Sequence, residues 1–386
     1  MPIIRSGVQY SGKWTRAQQM QAISAGTWTG ITLSELYSWG DNTTYGQLGL
    51  GDTTNRSSPT QVGGLTNWGE TSGGNGWSIA AKTDGTLWTW GYNVFGQLGL
   101  GDTTNRSSPV QVGALTNWAK VAGGEFDSLA TTTDGKLYAW GYGSRGQLGQ
   151  GNTTSYSSPV QVGALTNWDK IAVGGRHSLS IKTDGTLWAW GQNTEGQLGL
   201  GNTTNRSSPV QVGALTTWLN VSAGGFSSLA TTTDGKLYAW GLNDFGQLGL
   251  GDTTNRSSPV QVGALTNWLN VSSGRYFTLA TKTDGTLWAW GENGSGSLGI
   301  NDTTNRSSPV QVGALTTWSK FRAAKNFGSA IKTDGTLWMW GFNSQGQLGQ
   351  GNLTGVSSPV QVGSLTTWGN IGGGYTFTLA TNVSTT

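Results

Sequence analysis

Between residues 67 and 116 the chain divides into short apolar runs separated by polar, glycine-rich turns. Trp77-Ser78-Ile79-Ala80-Ala81 and Leu87-Trp88-Thr89-Trp90 are too short for helices and too apolar for loops, so they read as the central strands of a sheet. Trp68–Gly73 reads as a first strand, Trp77–Lys82 as a second, residues 86–91 as a third and residues 109–113 as a fourth. Between the second and third lies Thr83-Asp84-Gly85, whose Asp-Gly step supplies the positive φ angles of a tight hairpin. The step returns at Asp134, Asp184, Asp234, Asp284 and Asp334. The fourth strand opens with Ser-Ser-Pro, and proline lacks the N–H that an interior strand donates, so this strand belongs at a sheet edge.

The unit repeats. A Trp-Gly step stands at Trp39, Trp90, Trp140, Trp190, Trp240, Trp290 and Trp340, spaced by 50 residues after the first copy. Four antiparallel strands at such a period describe a propeller blade. Six complete units run over residues 67–366. Residues 367–382 supply only a first and a second strand, and residues 36–63 only a third and a fourth. The remnants are complementary, which predicts an all-β, seven-bladed β-propeller of four-stranded blades, closed by a blade shared between the N- and C-termini. The propeller is expected over residues 30–386. Residues 1–29 do not match the repeat and read as a short N-terminal extension, with one helix over residues 15–25. Too short to be stable alone, that helix is expected to dock on the propeller body or on another copy of the chain, which makes a homo-oligomer one alternative.

Tryptophan use fits this picture. Of 21 tryptophans, seven stand in Trp-Gly, seven open the first strands and four precede Trp-Gly by two residues. Such even columns are blade-to-blade packing, and Trp77 falls outside them along with Trp14 and Trp28.

Charged residues make up only 11% of the chain and net charge is +3, spread evenly over the units, so no nucleic-acid footprint is expected. No apolar run is long enough to insert in a membrane, and residues 1–30 lack the uninterrupted apolar stretch of a signal peptide, so a soluble chain is expected. Cysteine is absent, which leaves no disulfide or thiolate metal site.

The run WGYNVFGQLGLGDTTNRSSPVQV from Trp90 to Val112, with TDGTLWTWG before it, resembles the repeat of the regulator of chromosome condensation family. The resemblance covers about residues 31–382 and implies a seven-bladed propeller closed by both termini. It also implies a binding role, since the family includes exchange factors for a small GTPase and ubiquitin-ligase modules. The exchange factor resembled uses a protruding insertion and a basic tail, whereas here every complete unit is 50 residues long and the tail carries only Arg5, Lys13 and Arg16. Exchange activity is not expected. Separately, MPIIRSGVQYSGKWT followed by a Gln/Ala-rich stretch resembles the start of structural proteins of marine tailed phages, which implies an attachment segment that joins other virion proteins through residues 1–29.

Candidate chemistry is sparse. Gly96 to Gly101 superficially suggests a phosphate loop, but the glycine spacing is reversed and no helix follows. Asp52, Asp102, Asp252 and Asp302 read as turn caps, because Asn152 and Asn202 replace them and no second acid lies near. His177 is the only histidine, and a Ser-His-Asp set would require Asp127 to approach it from the preceding unit. No catalytic residue, metal site or cofactor is expected, and the chain reads as a non-enzymatic module.

The informative signal is where copies differ. In the turn after the first strand stand Trp77, then Glu125, Phe126 and Asp127, then Arg176 and His177, then Phe226, then Arg275, Tyr276 and Phe277, then Lys325 and Phe327, then Tyr375 and Phe377. In the turn after the third strand stand Tyr92 and Phe95, Arg145 and Phe245. Antiparallel strands alternate direction, so both turns emerge on one face. That face is expected to bind a partner, a protein or a surface glycan, because exposed aromatic and arginine side chains are what binding surfaces are made of. The combined expectation is a phage structural or decoration protein located in the virion, with a soluble cytoplasmic regulator that binds a host protein as the alternative.

Overall fold

A computed structural model describes residues 32–385. The segment 1–29 and the helix expected over residues 15–25 lie outside the described residues. Among the described residues the strands form seven four-stranded antiparallel sheets. In six, the strands pair in chain order, as in Trp68–Gly73, Trp77–Lys82, Leu87–Gly91 and Arg106–Gln111 of the first blade. In the seventh, Trp368–Gly373 and Phe377–Thr385 are followed by Thr32–Gly40 and Arg56–Gln61. Thr32–Gly40 pairs antiparallel with Phe377–Thr385 in unbroken register from Thr32 opposite Thr385 to Gly40 opposite Phe377. The ring is closed as the complementary remnants require.

Two local features differ from expectation. The fourth strand begins three residues before its proline, at Arg106 rather than Pro109. Gly91 pairs with Arg106 and Thr89 with Val110, so the extra residues are absorbed in an irregularity that leaves the proline without a ladder bond to donate. In the Asp-Gly hairpins only the glycine is left-handed, Gly85 at φ +78°. The Asp84 carboxylate instead accepts from Thr86 N and Thr86 Oγ1 at 3.0 and 2.6 Å, which pins the turn from outside.

The core lies between blades. Leu279, Leu287, Leu298 and Val312 of the fifth blade pack against Trp318, Ala330 and Trp340 of the sixth. Each Trp-Gly tryptophan is fully buried, worth roughly 4–6 kcal/mol of apolar burial at ~25 cal/mol/Å². The Trp140 indole donates to the carbonyl of Gln97 in the preceding blade at 2.9 Å, and the same bond joins Trp190 to Gln147 and Trp240 to Gln197. Gly99 is where this indole lands: a Cβ there would sit 2.7 Å from Trp140 Nε1.

Candidate functional site

Both variable sets of turns emerge on one face, as the hydrogen bond from Tyr92 N to Gly76 O shows. The outer turns, after each third strand, rest on a buried frame. Asn93 donates through Nδ2 to Asp102 O and accepts from Leu98 N at 2.9 Å, while Gly96 and Gly99 adopt positive φ. Positions 92, 94 and 95 are therefore held at the surface by residues that face inward. The capping role of Asp102 is what the structure shows: its carboxylate accepts from Thr104 N at 2.9 Å and pairs with Arg106 at 2.6 Å.

The inner turns, after each first strand, meet around the propeller axis. Asn75 N donates to Glu125 O at 3.1 Å, and Tyr375 N to Gly74 O at 3.1 Å. The last position of these turns is the first residue of the second strand, and its side chain enters the wall between blades. Trp77, Asp127, His177, Phe277, Phe327 and Phe377 are all buried, which corrects the expectation that they stand on the exposed face. Trp77 reaches the next blade, where its indole donates to Glu125 O at 3.3 Å. Of the remaining expected residues, Arg145 and Phe245 are exposed and Tyr92, Phe95, Glu125, Phe126, Arg176, Phe226, Arg275, Tyr276, Lys325 and Tyr375 are half-buried.

The partly exposed aromatics of the loop face are not spread evenly round the ring. Tyr45, Tyr92, Phe95, Phe126 and Tyr142 form one connected arc over the seventh, first and second blades. Centroids are 4.4 Å apart for Tyr45 and Tyr92, 6.1 Å for Tyr92 and Phe126, 5.1 Å for Phe95 and Phe126, and 4.7 Å for Phe95 and Tyr142. Val94, 52% exposed, extends the arc. Across the ring Phe245 and Tyr276 make a smaller pair at 5.2 Å, with the Arg275 guanidinium 5.1 Å from the Tyr276 ring. Sequence reasoning marked Tyr142, at the repeat position of Tyr92, as variable but missed Tyr45, which stands at the position of Phe95.

Near the axis the side chains are polar. Arg176 pairs with Glu125 at 3.6 Å. Asp127 is completely buried with no hydrogen-bond partner for either oxygen, and burial, assisted by Glu125, holds its carboxyl well above the usual range. His177 lies in the same column one blade on. Its Nε2 is 2.9 Å from Ser228 Oγ, and Ser228 Oγ donates to Gln197 O at 2.7 Å. Nε2 must therefore carry the proton that it donates to the serine, so the pair is not arranged as nucleophile and base. Asp127 makes no hydrogen bond to it, and burial pulls the imidazole down to about 3. Arg322, also missed, lines the axis. It is the one charged residue in a first-strand column otherwise filled by Ser72, Ala122, Ala172, Ser222, Ser272 and Gly372, a signal legible in the repeat itself.

These features define a closed, seven-bladed repeat propeller with one diversified loop face. A model of the RCC1-like domain matches residues 15–226, and models of the regulator of chromosome condensation (RCC1) repeat match residues 234–281, 284–331 and 334–381, and residues 218–247 and 268–297. The chain belongs to the regulator of chromosome condensation repeat family. Among solved structures it is similar to human WBSCR16, with 22% identity, TM-score 0.81, and coverage of 90% of this chain and 98% of that one. Yeast RCC1 (Prp20), solved with Kap60 bound, is 20% identical with TM-score 0.82, over 100% of this chain and 97% of that one. Prp20p of Saccharomyces cerevisiae, described with its binding properties to Gsp1p and histones, is 21% identical with TM-score 0.80, over 92% and 93%. At these identities the likeness carries the fold.

Proposed function

We propose that this propeller is an interaction module that binds a protein partner through the aromatic arc of Tyr45, Tyr92, Phe95, Phe126 and Tyr142. The arc is the observation that carries the reading. Its rings pack edge-on or tilted against one another and make a continuous apolar surface, which suits the side chains of a protein better than the flat stacking of a sugar on a single exposed ring. The related yeast propeller is described with protein partners, which supports the same class of ligand. The setting we favour is a phage particle, with residues 1–29 as the attachment segment, a reading supported by the resemblance of that segment to phage structural proteins.

Two experiments test the parts separately. A photo-crosslinking residue at position 95 is expected to capture a specific protein that the same residue at Leu165, on the opposite face, does not; equal capture from both faces overturns the binding role. Mass spectrometry of gradient-purified particles from the source is expected to find the protein in stoichiometric amount, and its confinement to the soluble fraction overturns the virion setting while leaving the binding face untouched.

A further inference from the structure

The inner turns leave a cavity of about 60 Å³ around the propeller axis, against roughly 10–15 Å³ needed by one water molecule. Its wall is mainly glycine and alanine, and four side chains with binding chemistry line it: Ser273, Arg275, Arg322 and Tyr375. We propose that this cavity is a binding site for a single carboxylate group, held by the guanidinium groups of Arg275 and Arg322 and by the Tyr375 hydroxyl.

Charge balance carries the argument. Among the described residues no carboxylate lies within ion-pair distance of Arg275 or Arg322, whereas Arg176 has Glu125. Arg322 is held in place by two carbonyls of the seventh blade, with Nη2 2.5 Å from Gly373 O and Nη1 3.5 Å from Gly374 O. Carbonyls fix its direction but do not neutralise it, and an unneutralised cation in a narrow cavity is costly. Burial brings Arg322 down to about 10, which still leaves it charged at neutral pH. Burial raises the Tyr375 phenol, so it remains a proton donor. No hydrogen bond within the described residues uses the Arg275 guanidinium or the Tyr375 hydroxyl.

The acids of the hub stand on the second blade, across the ring from the arginines of the fifth and sixth. Glu125 is engaged by Arg176, and the buried Asp127 is held towards its neutral form, so neither supplies the missing anion. The void is small and is lined by two arginines that lack a carboxylate partner, which fits a planar carboxylate better than a tetrahedral dianion. The carboxylate comes from a partner's acidic side chain or from a free polypeptide C-terminus, and only this last point rests on the reading of the face as a binding face.

Fluorine NMR of trifluoroacetate titrated into the full-length protein at low chloride tests the site. Saturable binding is expected with a Kd on the order of 1 mM, reversed by acetate. Arg275→Gln is expected to weaken it about tenfold, since a charge-assisted fork is lost, while Arg56→Gln on the outer edge leaves it unchanged. Arg322→Gln is expected to do the same as Arg275→Gln, but it also releases two backbone carbonyls, so Arg275→Gln is the deciding variant. An amidated peptide with one glutamate and a peptide whose only acid is its C-terminus then compete separately, and the better competitor names the source. Non-saturable binding, unchanged affinity in Arg275→Gln, or stronger competition by inorganic phosphate than by acetate would overturn the proposal. Crosslinking from position 95 is independent of all three, so failure here and failure of the aromatic arc are distinguishable.

Discussion

His177 offers a clean test of how the inter-blade wall is built. The imidazole is fully buried, and burial lowers it from 6.5 to about 3. Between those values the unfolded chain binds a proton that the folded chain does not, so stability falls as pH drops below 6.5 and the loss is complete near pH 3. At 1.36 kcal/mol per pH unit the loss is about 2 kcal/mol at pH 5 and about 3 kcal/mol at pH 4. The structure supplies a replacement that lacks this proton: the same column holds Phe277 and Phe377, each beside a glycine placed as Gly174 is beside His177. His177→Phe is therefore expected to fold, and Ser228 keeps its bond to Gln197 O. The readout is the difference in melting temperature between wild type and variant from pH 7.5 to 4. It is expected to change by about 2.5 °C by pH 5 and about 4 °C by pH 4, at ~2.1 cal/mol/K of unfolding entropy per residue. All other carboxylates titrate in both proteins and cancel. Because there is one histidine in the sequence, its imidazole proton signal can be followed directly. A flat difference over this range, or an imidazole that titrates near 6.5 in the folded protein, would refute the reasoning.

Asp127 has the opposite sign: the folded chain keeps a proton that the unfolded chain releases above pH 3.8, so wild type loses stability as pH rises, and Asp127→Asn is expected to gain on it by about 1.4 kcal/mol per pH unit until the folded carboxyl ionises, as read from denaturant midpoints. Gly99→Ala, which meets Trp140 Nε1 at φ +72°, is expected to cost about 3 kcal/mol, whereas Gly113→Ala, at φ +57° with nothing within 4 Å, should cost only the left-handed penalty of about 1–2 kcal/mol; equal losses in urea titrations would show that the indole contact does not matter. Deleting residues 377–385 leaves Thr32–Gly40 without its inner partner, and the expected result is loss of the cooperative thermal transition rather than a small shift in it.

The blades were legible because their cause is local. A 50-residue period, an Asp-Gly turn and a proline at the edge each constrain a few neighbouring residues, and the two incomplete units at the ends left one way to close the ring. The burial of the 77, 127 and 177 column was not legible for a related reason. Variation among Trp, Asp, His, Ser and Phe has the look of a free surface turn, yet these side chains are buried in the wall between blades. Trp77, for example, reaches Glu125 O, and Gly174 makes room for the His177 ring. Comparing copies shows which positions differ and not which way they point. Third-strand variation had a visible counterpart. Where the third strand carries Trp188, Trp288 or Trp338, Lys182, Lys282 or Lys332 stands over its ring at 3.5–3.7 Å. Where it carries Tyr138 or Tyr238 the lysine moves to Lys136 or Lys236 and pairs with Asp134 or Asp234 instead.

The two sets of turns differ in what a substitution touches. At the axis, the turn is hydrogen-bonded to its neighbour and its last residue lies in the core, so a change there moves stability as well as surface. In the outer turns the load falls on Asn93, Gly96 and Gly99 and their counterparts, and positions 92, 94 and 95 carry little of it. Chemistry at those outer positions is thereby decoupled from the fold, which is the condition for one sector of a symmetric ring to gather a larger aromatic arc than the others. The arginines without a carboxylate partner face the axis from the fifth and sixth blades, outside the sector that carries the arc. A partner that spans both would set apolar contacts on one side of the ring and a carboxylate at its centre, and its orientation on the disc would follow from those two points, although the scaffold itself offers seven nearly equivalent ones.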